Sequence, residues 1–233
     1  MKLETFNTAE NALRSLTGQL ASLIVYCKSK PFHLALSGGD TAQLMFRLWV
    51  NEYREQIDWS NIRFYWVDER CVAPDDEQSN FKHADELLFT PLNIPATYVH
   101  RIFGEQEPET EADRYSELVK WELPGYSEIP RFDCIILGAG TDLHTASIFP
   151  STMDLLTDAR CYGVSQHPVS GQKRITMTGS LILKGRAIYM PILGESKAET
   201  VRQLLDPDNA KLTPAGYILS HAPQATLFTD CKI

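Results

Sequence analysis

The stretch FDCIILGAGTDLHTASIFP, residues 132–150, joins an apolar run to a glycine-rich turn that carries charged and hydroxyl side chains. The run FDCIILG is typical of a buried strand. Gly138 and Gly140 open the turn, Asp142 and His144 follow two positions apart, and a helix is predicted to begin at Thr145. A carboxylate close to a histidine can fix the tautomer of the imidazole and raise its basicity. This strand end is therefore a candidate for general-base chemistry, although a lone histidine is more often structural.

Segments with strand and helix patterns alternate on both sides of this turn. Strands are predicted at residues 32–39, 61–68, 98–103, 132–138, 174–182, 187–194 and 225–230, and helices at residues 8–30, 41–50, 79–89, 110–123, 195–206 and 214–222. Thr8 and either Ser79 or Asn80 are candidate N-caps. Pro191 lies inside a predicted strand and cannot donate a backbone hydrogen bond, which predicts an edge position or a bulge there.

The alternation predicts a single α/β domain, residues 1–233, with three α/β/α layers and a mostly parallel, Rossmann-like sheet. In sheets of this kind, ligands bind beyond the carboxyl ends of the strands. Three strand ends therefore matter most for function: SGGDT at 37–41, VDERC at 67–71 and GAGTDLH at 138–144.

Composition and charge exclude several classes of partner. The 233 residues are 43% hydrophobic and 22% charged, with a formal net charge of −8. A net negative field repels polyanions, so neither nucleic acid nor an anionic membrane is an expected partner, and no protein partner is predicted. The N-terminus lacks the apolar core of a signal peptide, and no apolar run approaches the roughly 20 residues of a membrane span. The expectation is a soluble cytoplasmic protein.

The cysteines and the other histidines form no ligand pattern. Cysteines lie at positions 27, 71, 134, 161 and 231, and no pair has the CxxC spacing. Reduced thiols are expected, and neither a disulfide framework nor a metal site is predicted. The histidines at positions 33, 83, 100, 167 and 221 are interpreted as structural.

The first of the three strand ends, SGGDT, has the features of a phosphate-binding turn. Gly38 and Gly39 allow a sharp turn and a close approach to a ligand, while Ser37 and Thr41 supply hydroxyls. Free N–H groups at the start of the following helix favour an anion such as a phosphate monoester. A glycine pair between a strand and a helix is often a simple turn, so both interpretations stay open. The dinucleotide fingerprint GxGxxG is absent from this strand end.

The remaining charged candidates lie on the second strand end and near two later segments. Asp68, Glu69 and Arg70 follow a strand of large apolar residues, and the residues alone favour a solvated turn with an internal ion pair. Arg174 precedes the run ITMT, and Lys197 lies at the start of a predicted helix. A lysine there opposes the helix dipole, and an anion held between the two cations would relieve that opposition. An exposed surface lysine is the simpler alternative.

Together these segments resemble the 6-phosphogluconolactonase family, within the wider group that includes the glucosamine-6-phosphate deaminases. The segments that carry the resemblance are SGGDT at 37–41, WVDERCVAPDDEQSN at 66–80, GAGTDLHTASIFP at 138–150, RITMT at 174–178 and GESKA at 194–198. Their order and spacing agree with the family pattern over most of the chain.

The resemblance implies an enzyme that hydrolyses 6-phosphoglucono-1,5-lactone to 6-phosphogluconate, with no metal or organic cofactor. His144 would act as the general base that takes a proton from the water attacking C1. Asp142 would orient the imidazole or only shape the loop. Arg70 would stabilise negative charge or order the site through Asp68. The small phosphosugar lactone is the one partner that the resemblance implies.

The same resemblance assigns the phosphate of the substrate to a set of hydroxyl, main-chain and cationic groups. This set comprises Ser37, Gly38, Gly39, Thr41, Arg174 and Lys197. A hold on the remote phosphate would convert binding energy into positioning of C1 over the base. Ser147 lacks the GxSxG context of a nucleophile and is not given that role.

Two residues depart from the family pattern. Ala42 stands where the family usually has proline, which is a mild change at a helix start. Leu143 stands where the family has glycine, beside His144. If this position needs a positive φ, a leucine costs about 1–2 kcal/mol, and it could also narrow access to His144. Alternatively, the loop holds an allowed φ with the leucine side chain turned away.

Three other functions remain as alternatives. The nearest is amino-sugar phosphate deamination or isomerisation, in which Asp68 could serve as the acid and base. The family resemblance assigns deaminases a glutamate five positions after the loop histidine, where this chain has Phe149. A non-catalytic sugar-phosphate sensor is the second alternative, and Leu143 is its support. A nucleotide-binding oxidoreductase shares the fold class but lacks its fingerprint.

Overall fold

The computed structural model describes residues 1–27, 31–123 and 130–233, with residues 209 and 210 described by their main chain alone. The strands are β1 (Lys2–Thr5), β2 (Phe32–Leu36), β3 (Ile62–Trp66), β4 (Asp68–Arg70), β5 (Cys134–Ile136), β6 (Tyr162–Gln166), β7 (Lys173–Met177), β8 (Ala187–Ile192) and β9 (Ala225–Thr229). The α-helices are α1 (Ala9–Tyr26), α2 (Asp40–Glu52), α3 (Asn80–Ala84), α4 (Thr90–Leu92), α5 (Pro108–Glu122), α6 (Gly179–Ile182), α7 (Ala198–Leu205), α8 (Pro207–Ala210) and α9 (Pro214–His221).

Six parallel strands form the central sheet in the order β1-β9-β8-β5-β2-β3, and helices cover both faces. The predicted α/β architecture with a mostly parallel sheet is therefore confirmed. Strand β2 is buried along its whole length, which explains why its sequence is almost continuously apolar. The carboxyl ends of the strands all point to one edge of the sheet, where ligands bind in folds of this kind.

A second, antiparallel sheet has the order β4-β7-β6 and was not predicted. It continues from β3 through Val67, whose N–H donates to the Leu36 carbonyl at 2.9 Å and whose carbonyl accepts from Met177 N–H at 2.7 Å. The main chain thus passes from the central sheet into the small one within a single residue. Because of this junction, the charged residues 68–70 form a strand of the small sheet and not a solvated turn.

Helix α1 begins where the sequence predicts. The Thr8 hydroxyl accepts from Asn11 N–H at 3.2 Å, as expected of an N-cap. Leu13, Leu16 and Leu20 recur at helical spacing and are buried against the sheet side of the helix. The helix ends at Tyr26, and residues 28–30 of the predicted segment lie outside the described residues. None of the helices in the described part of the chain has the length and apolar character that a membrane span requires.

Pro191 lies neither on an edge strand nor at a bulge in the pairing of β8 with β9, contrary to the prediction. It belongs to β8, which is flanked by β5 and β9, and it pairs with Phe228 of β9. Tyr189, two residues earlier, accepts from Leu137 N–H at 2.8 Å, so alternate residues of β8 face β5. Because β5 ends at Ile136, the missing N–H of Pro191 faces a place where the neighbouring strand has already ended. Proline is tolerated there for the same reason that it is tolerated at an edge.

Three further local predictions were wrong. Residues 98–103 form no strand and contribute a single bridge from Val99 to Phe64 after a 3-10 turn. The segment 174–182 divides at Thr178, whose hydroxyl accepts from Leu181 N–H and starts α6. No helix begins at Thr145; its main chain pairs with Ile148 in a tight turn instead. In each case a hydrogen-bonded turn replaces the regular element that the apolar pattern favoured.

Candidate active site

The carboxyl ends of β2, β5 and β8 and one face of the small sheet enclose a pocket of about 350 Å³. All the predicted site residues except Asp142 line it: Ser37, Gly38, Gly39, Thr41, Asp68, Arg70, His144, Arg174 and Lys197. Asp142 lies behind the ring of His144 and contacts it directly. The fold therefore gathers segments that are far apart in sequence around one cavity of a size suited to a small ligand.

The diglycine turn depends on glycine at both positions. Gly39 has φ of 86° and is the N-cap of α2, where a residue with a side chain would be strained. A Cβ on Gly38 would lie 1.8 Å from Oδ1 of Asn80. Asn80 in turn donates from Nδ2 to the Asp68 carbonyl at 2.9 Å. The turn is thus packed against the Asn80 side chain, which connects it to β4, and the first residues of α2 line the pocket.

The DER segment is a structured strand, so its interpretation as a solvated turn was wrong. Asp68 and Glu69 are both buried, with 5% and 2% of their surface exposed. The Glu69 carboxylate accepts from the N–H groups of Arg70, Asn80 and Phe81 at 2.8 Å each, and from the Ser79 hydroxyl at 3.1 Å. Burial raises the pKa of Glu69, and these N–H donors oppose that rise. Glu69 therefore fastens β4 to the start of α3.

Asp68 connects the small sheet to the loop that carries His144. Its Oδ2 accepts from the Ser147 hydroxyl at 2.7 Å, and Ser147 N–H donates to the Thr176 hydroxyl at 3.0 Å. Asp68 and Thr176 are cross-strand partners in β4 and β7. The hydroxyl of Ser147 is thus committed to a buried carboxylate, in agreement with the absence of a nucleophile motif around it.

The loop after β5 holds His144 in a defined orientation. Nδ1 of His144 lies 2.5 Å from Oδ1 of Asp142, and the main-chain N–H of His144 also points to that oxygen at 3.3 Å. Burial alone would raise the pKa of Asp142, but the charge and hydrogen bonds of His144 outweigh it and the pKa of the carboxyl is lowered. An ionised Asp142 that accepts from Nδ1 leaves Nε2 as the basic nitrogen of the neutral ring.

Gly140 is required for this pairing. A Cβ at Gly140 would lie 2.2 Å from Nδ1 of His144 and 2.5 Å from Oδ1 of Asp142. Side-chain contacts that short do not occur, so a larger residue would displace the pair. The second glycine of the GAG turn therefore makes room for the histidine and the aspartate to meet.

Leu143 has a positive φ of 63°, and Ala146 has one of 49°. The sequence left open whether position 143 has a positive or an allowed negative φ. The observed φ is positive, which is the strained of the two conformations for a leucine. Its side chain, however, is 5% exposed and belongs to the hydrophobic core, and it does not line the pocket. Its carbonyl accepts from Ala215 N–H at 3.0 Å. Leu143 therefore anchors the loop to the hydrophobic core near α9, and its side chain does not restrict the access of a ligand to His144.

Two arginines face each other across the small sheet. Arg70 of β4 is the direct cross-strand partner of Arg174 of β7, and both line the pocket. Burial, followed by the charge of Arg70, lowers the pKa of Arg174. Opposed like charges destabilise a sheet, and among the described residues the buried Nε atoms of both guanidiniums lack a hydrogen-bond partner. Such a pair is suited to an anion held between them.

Lys197 contributes a third cation. It ends a 3-10 turn at Glu195–Lys197 just before α7, and its Nζ donates to the Ala139 carbonyl at 3.1 Å. That contact holds the ammonium beside the turn that leads to His144. No group of three or more His, Cys, Asp or Glu residues that could hold a metal ion occurs among the described residues.

Several pocket residues were not assigned a role from the sequence. Asn80 was predicted only as a candidate N-cap and as part of the family pattern, and the N-cap of α3 is Ser79. Phe149 was discussed only as the place of a missing glutamate. The ring of Phe149 packs on His144 with centroids 4.9 Å apart. His167, interpreted as structural, also lines the pocket. His33 is structural as expected: it is buried, burial lowers its pKa to about 4, and Nδ1 contacts the Tyr65 hydroxyl at 3.1 Å.

Comparison with known proteins finds one family of relatives, and the matches cover most of the chain. A family model described as glucosamine-6-phosphate isomerases/6-phosphogluconolactonase matches residues 7–228. The 6-phosphogluconolactonase of Treponema pallidum is 42% identical over 179 residues, which cover 77% of this chain and 74% of that protein. The 6-phosphogluconolactonase of Haemophilus influenzae is 38% identical over 206 residues, which cover 88% of this chain and 85% of that protein.

Solved structures agree with these sequence matches. A crystal structure described as devB protein superposes with a TM-score of 0.89 at 38% identity, covering 98% of this chain and 95% of that chain. A 6-phosphogluconolactonase from Shewanella baltica superposes with a TM-score of 0.84 at 27% identity, covering 100% of this chain and 98% of that chain. The chain therefore belongs to the glucosamine-6-phosphate isomerase/6-phosphogluconolactonase family.

Proposed function

We propose that this protein hydrolyses 6-phosphoglucono-1,5-lactone to 6-phosphogluconate. The observation that carries the proposal is the shared pocket: His144 lines the same cavity as the paired Arg70 and Arg174, Lys197 and the diglycine turn. A phosphosugar lactone has an anionic group at one end and an activated ester at the other. A pocket that combines three cations with an oriented imidazole matches both ends.

In the proposed reaction, Nε2 of His144 takes a proton from water as the water oxygen attacks C1 of the lactone. The tetrahedral intermediate collapses with cleavage of the bond between C1 and the ring oxygen. His144 returns its proton to that oxygen, which becomes a hydroxyl, and the new carboxylic acid loses its proton to solvent. Asp142 holds the ring and favours the imidazolium that forms between the two transfers. A strained, activated ester needs no protein nucleophile, which agrees with the hydroxyl of Ser147 being bound to Asp68.

The anionic end of the substrate is assigned to the cationic and main-chain donors of the pocket. Arg70 shares a rung with Arg174, so we assign it to phosphate binding, together with Lys197. The diglycine turn and the hydroxyls of Ser37 and Thr41 complete this set. Because the phosphate is remote from C1, its binding energy positions the lactone carbon over His144. Asp68 is assigned the role of holding the His144 loop through Ser147.

The alternative of amino-sugar phosphate deamination is disfavoured by Phe149. A phenyl ring occupies the place beside His144 where that reaction would use a carboxylate. The sensor alternative rested on Leu143, whose side chain points into the core and leaves the pocket open. We further infer that residues 1–233 act as one domain, that a small phosphosugar lactone is the partner, and that the protein works in the cytoplasm.

The test is to generate the lactone freshly from glucose 6-phosphate and to follow its loss with and without the protein. We expect loss well above the spontaneous rate, with 6-phosphogluconate as the product. A parallel assay with glucosamine 6-phosphate should release no ammonia. Tight binding of 6-phosphogluconate without acceleration of lactone loss would instead identify a sensor, and ammonia release would identify a deaminase.

A further inference from the structure

His167 lines the pocket, yet the mechanism above gives it no role. It follows β6, at the start of the turn that joins β6 to β7. Its ring packs on Phe149 with centroids 5.3 Å apart in a T-shaped arrangement, and Phe149 packs in turn on His144. One aromatic ring therefore separates His167 from the proposed base.

The strand register places His167 on the same face as the arginine pair. Ser165 of β6 is the cross-strand partner of Arg174, which is the partner of Arg70. Side chains that are directly opposite share a face, and alternate residues of a strand return to it. His167 is two residues beyond Ser165, and its N–H continues the ladder to the Gln172 carbonyl at 2.9 Å. It is thus the next position along the face that carries both guanidiniums.

The hydrogen bonds of the turn fix which nitrogen of His167 carries a proton. Nδ1 accepts from the N–H groups of Val169 and Ser170, both at 3.2 Å. A nitrogen that accepts carries no proton, so the neutral ring has its N–H at Nε2. Among the described residues, the hydrogen bonds of this ring are those two at Nδ1, and Nε2 lies on the opposite edge. A residue that lines the pocket therefore carries an N–H donor that has no acceptor in the described part of the chain.

The turn that carries His167 is held in place. Gln166 donates from Nε2 to the Gly171 carbonyl at 2.8 Å, which closes the turn. Gln172 donates from Nε2 to Oε1 of Gln78 at 2.8 Å, and the carbonyl of Gln78 accepts from Nη1 of Arg70. The turn and the guanidinium of Arg70 thus share one anchor. A donor fixed in this way loses little conformational freedom when a ligand binds.

We propose that His167 donates its Nε2–H to the phosphate group of the substrate and completes the anion-binding set with Arg70 and Arg174. The identity of the ligand rests on the proposed lactonase function. A phosphate has three terminal oxygens with several lone pairs each, so it can accept one more hydrogen bond beside those assigned to the two guanidiniums, Lys197 and the diglycine turn. A neutral donor adds a hydrogen bond there without a further positive charge beside two that already repel.

The test uses two variants that separate the donor from the turn. In His167→Asn, the side-chain oxygen can still accept from the turn N–H groups, but the donor at Nε2 is lost. In His167→Gln, the longer amide N–H reaches toward the position of Nε2 and keeps a donor. Val169→Ala is the matched control, because Val169 lies in the same turn with 89% of its surface exposed. Thermal unfolding of all variants checks that the turn is intact.

Calorimetry measures the binding of 6-phosphogluconate and of inorganic phosphate. Steady-state kinetics measure the turnover of 6-phosphoglucono-1,5-lactone and of unphosphorylated glucono-1,5-lactone. We expect His167→Asn to weaken both phosphorylated ligands about tenfold, the loss typical of one hydrogen bond to a charged group. The turnover of the unphosphorylated lactone should not change, His167→Gln should recover part of the affinity, and Val169→Ala should match the wild type.

Wild-type affinity of His167→Asn for both phosphorylated ligands would overturn the proposal. An equal loss with the phosphorylated and the unphosphorylated lactone would also overturn it, because the contact would then be to the sugar. Failure of the lactonase function is distinguishable from both results. In that event the wild type would not hydrolyse the lactone, while the effect of His167→Asn on inorganic phosphate would still decide the role of His167.

Discussion

The loop 138–149 and the arginine-bearing face of the small sheet form two walls of one pocket and are built in opposite ways. In the loop, the imidazole nitrogen that faces the protein, the Asp142 carboxylate and the Ser147 hydroxyl all have protein partners. On the sheet face, the Nε atoms of Arg70 and Arg174 and the Ser165 hydroxyl are buried without a partner in the described chain. The polar groups of the loop are thus hydrogen-bonded before a ligand arrives, whereas each arginine of the sheet face keeps one buried nitrogen without a partner in the described chain.

This difference follows from what each wall must do. A general base acts only when its ring and proton are held in one arrangement, so the loop is fixed even at the cost of two residues with positive φ. An anion-binding wall gains affinity when its donors are left for the ligand to complete. Unsatisfied buried donors cost stability in the free protein, and a bound phosphate would recover that loss.

The largest expected effect comes from the nitrogen that faces the lactone. His144→Ala should lower kcat by about 100-fold or more, because the general base is lost, while the affinity for 6-phosphogluconate stays within a few-fold of the wild type. Steady-state kinetics and calorimetry on the same preparation measure the two quantities. A variant with near-normal kcat would remove His144 from the chemistry, and a parallel loss of affinity would show that the two walls are not separate.

The next prediction concerns the space that Gly140 leaves for the side chains of His144 and Asp142. Gly140→Ala should lower kcat by at least about tenfold, because its Cβ would displace the pair of His144 and Asp142 and a misplaced base loses rate steeply. Gly138→Ala is the matched control, since its Cβ would meet only the Ser37 hydroxyl at 3.8 Å. Equal losses in the two alanine variants would contradict a specific role for the space at Gly140.

On the opposite wall, Arg174→Met should weaken 6-phosphogluconate about tenfold and leave the thermal midpoint of the free protein unchanged or higher. Burial and the charge of Arg70 both lower the pKa of Arg174, which means that the charged guanidinium is unfavourable in the free protein. A neutral side chain at this position removes that unfavourable energy. Lys173→Met removes the same charge from the exposed, opposite face of β7 and is the control. A lower thermal midpoint with unchanged affinity would mean that Arg174 has a structural role. The proposed difference between the His144 loop and the arginine-bearing sheet face would then be wrong.

A smaller effect concerns pH. Against the effect of its burial, the charge and hydrogen bonds of His144 lower the pKa of Asp142. The carboxylate therefore stabilises the folded protein above the pKa that it has in the unfolded chain, and this stabilisation is lost as the pH falls through the lower pKa of the folded state. Asp142→Asn should lower the free energy of unfolding near neutral pH by less than about 1 kcal/mol, because the pair is partly exposed, and the difference from the wild type should shrink in acid. Denaturant unfolding of both proteins from pH 3 to 7 measures this. A difference that stays constant over that range would show that Asp142 acts only by shaping the loop.

The sequence predicts the chemical wall better than the binding wall, for a physical reason. His144 and Asp142 are two residues apart on one turn, so local spacing is sufficient to pair them. Arg70 and Arg174 meet only because a three-residue charged strand pairs antiparallel with β7, and a short run of charges has the pattern of a turn. Glu69 makes that strand possible by accepting N–H groups from α3, a long-range contact without a local signal.

The surroundings of His167 and Pro191 depend on strand pairing that the sequence does not show. His167 lies at the pocket because of the register of β6 against β7, and β6 was not predicted. Pro191 fits inside the sheet because the neighbouring β5 is short, and strand lengths relative to one another are a property of the assembled sheet. Apolar periodicity determines that a strand exists, but not where its neighbour ends.

The smallest expected effect on turnover comes from Leu143→Gly, which restores the residue usual in the family. The change relieves about 1–2 kcal/mol of strain at a positive φ, but it also removes a buried side chain worth about 2–5 kcal/mol and adds a further unfolded-state entropy of about 0.5–1 kcal/mol. We therefore expect a net loss of about 2 kcal/mol in the free energy of unfolding, with kcat within about twofold of the wild type because the side chain does not face the pocket. Ala146→Gly relieves a similar φ with little buried surface to lose, so its stability should be nearly unchanged. Denaturant unfolding and steady-state kinetics compare the two variants, and a stabilised Leu143→Gly protein would mean that the leucine contributes strain without useful packing.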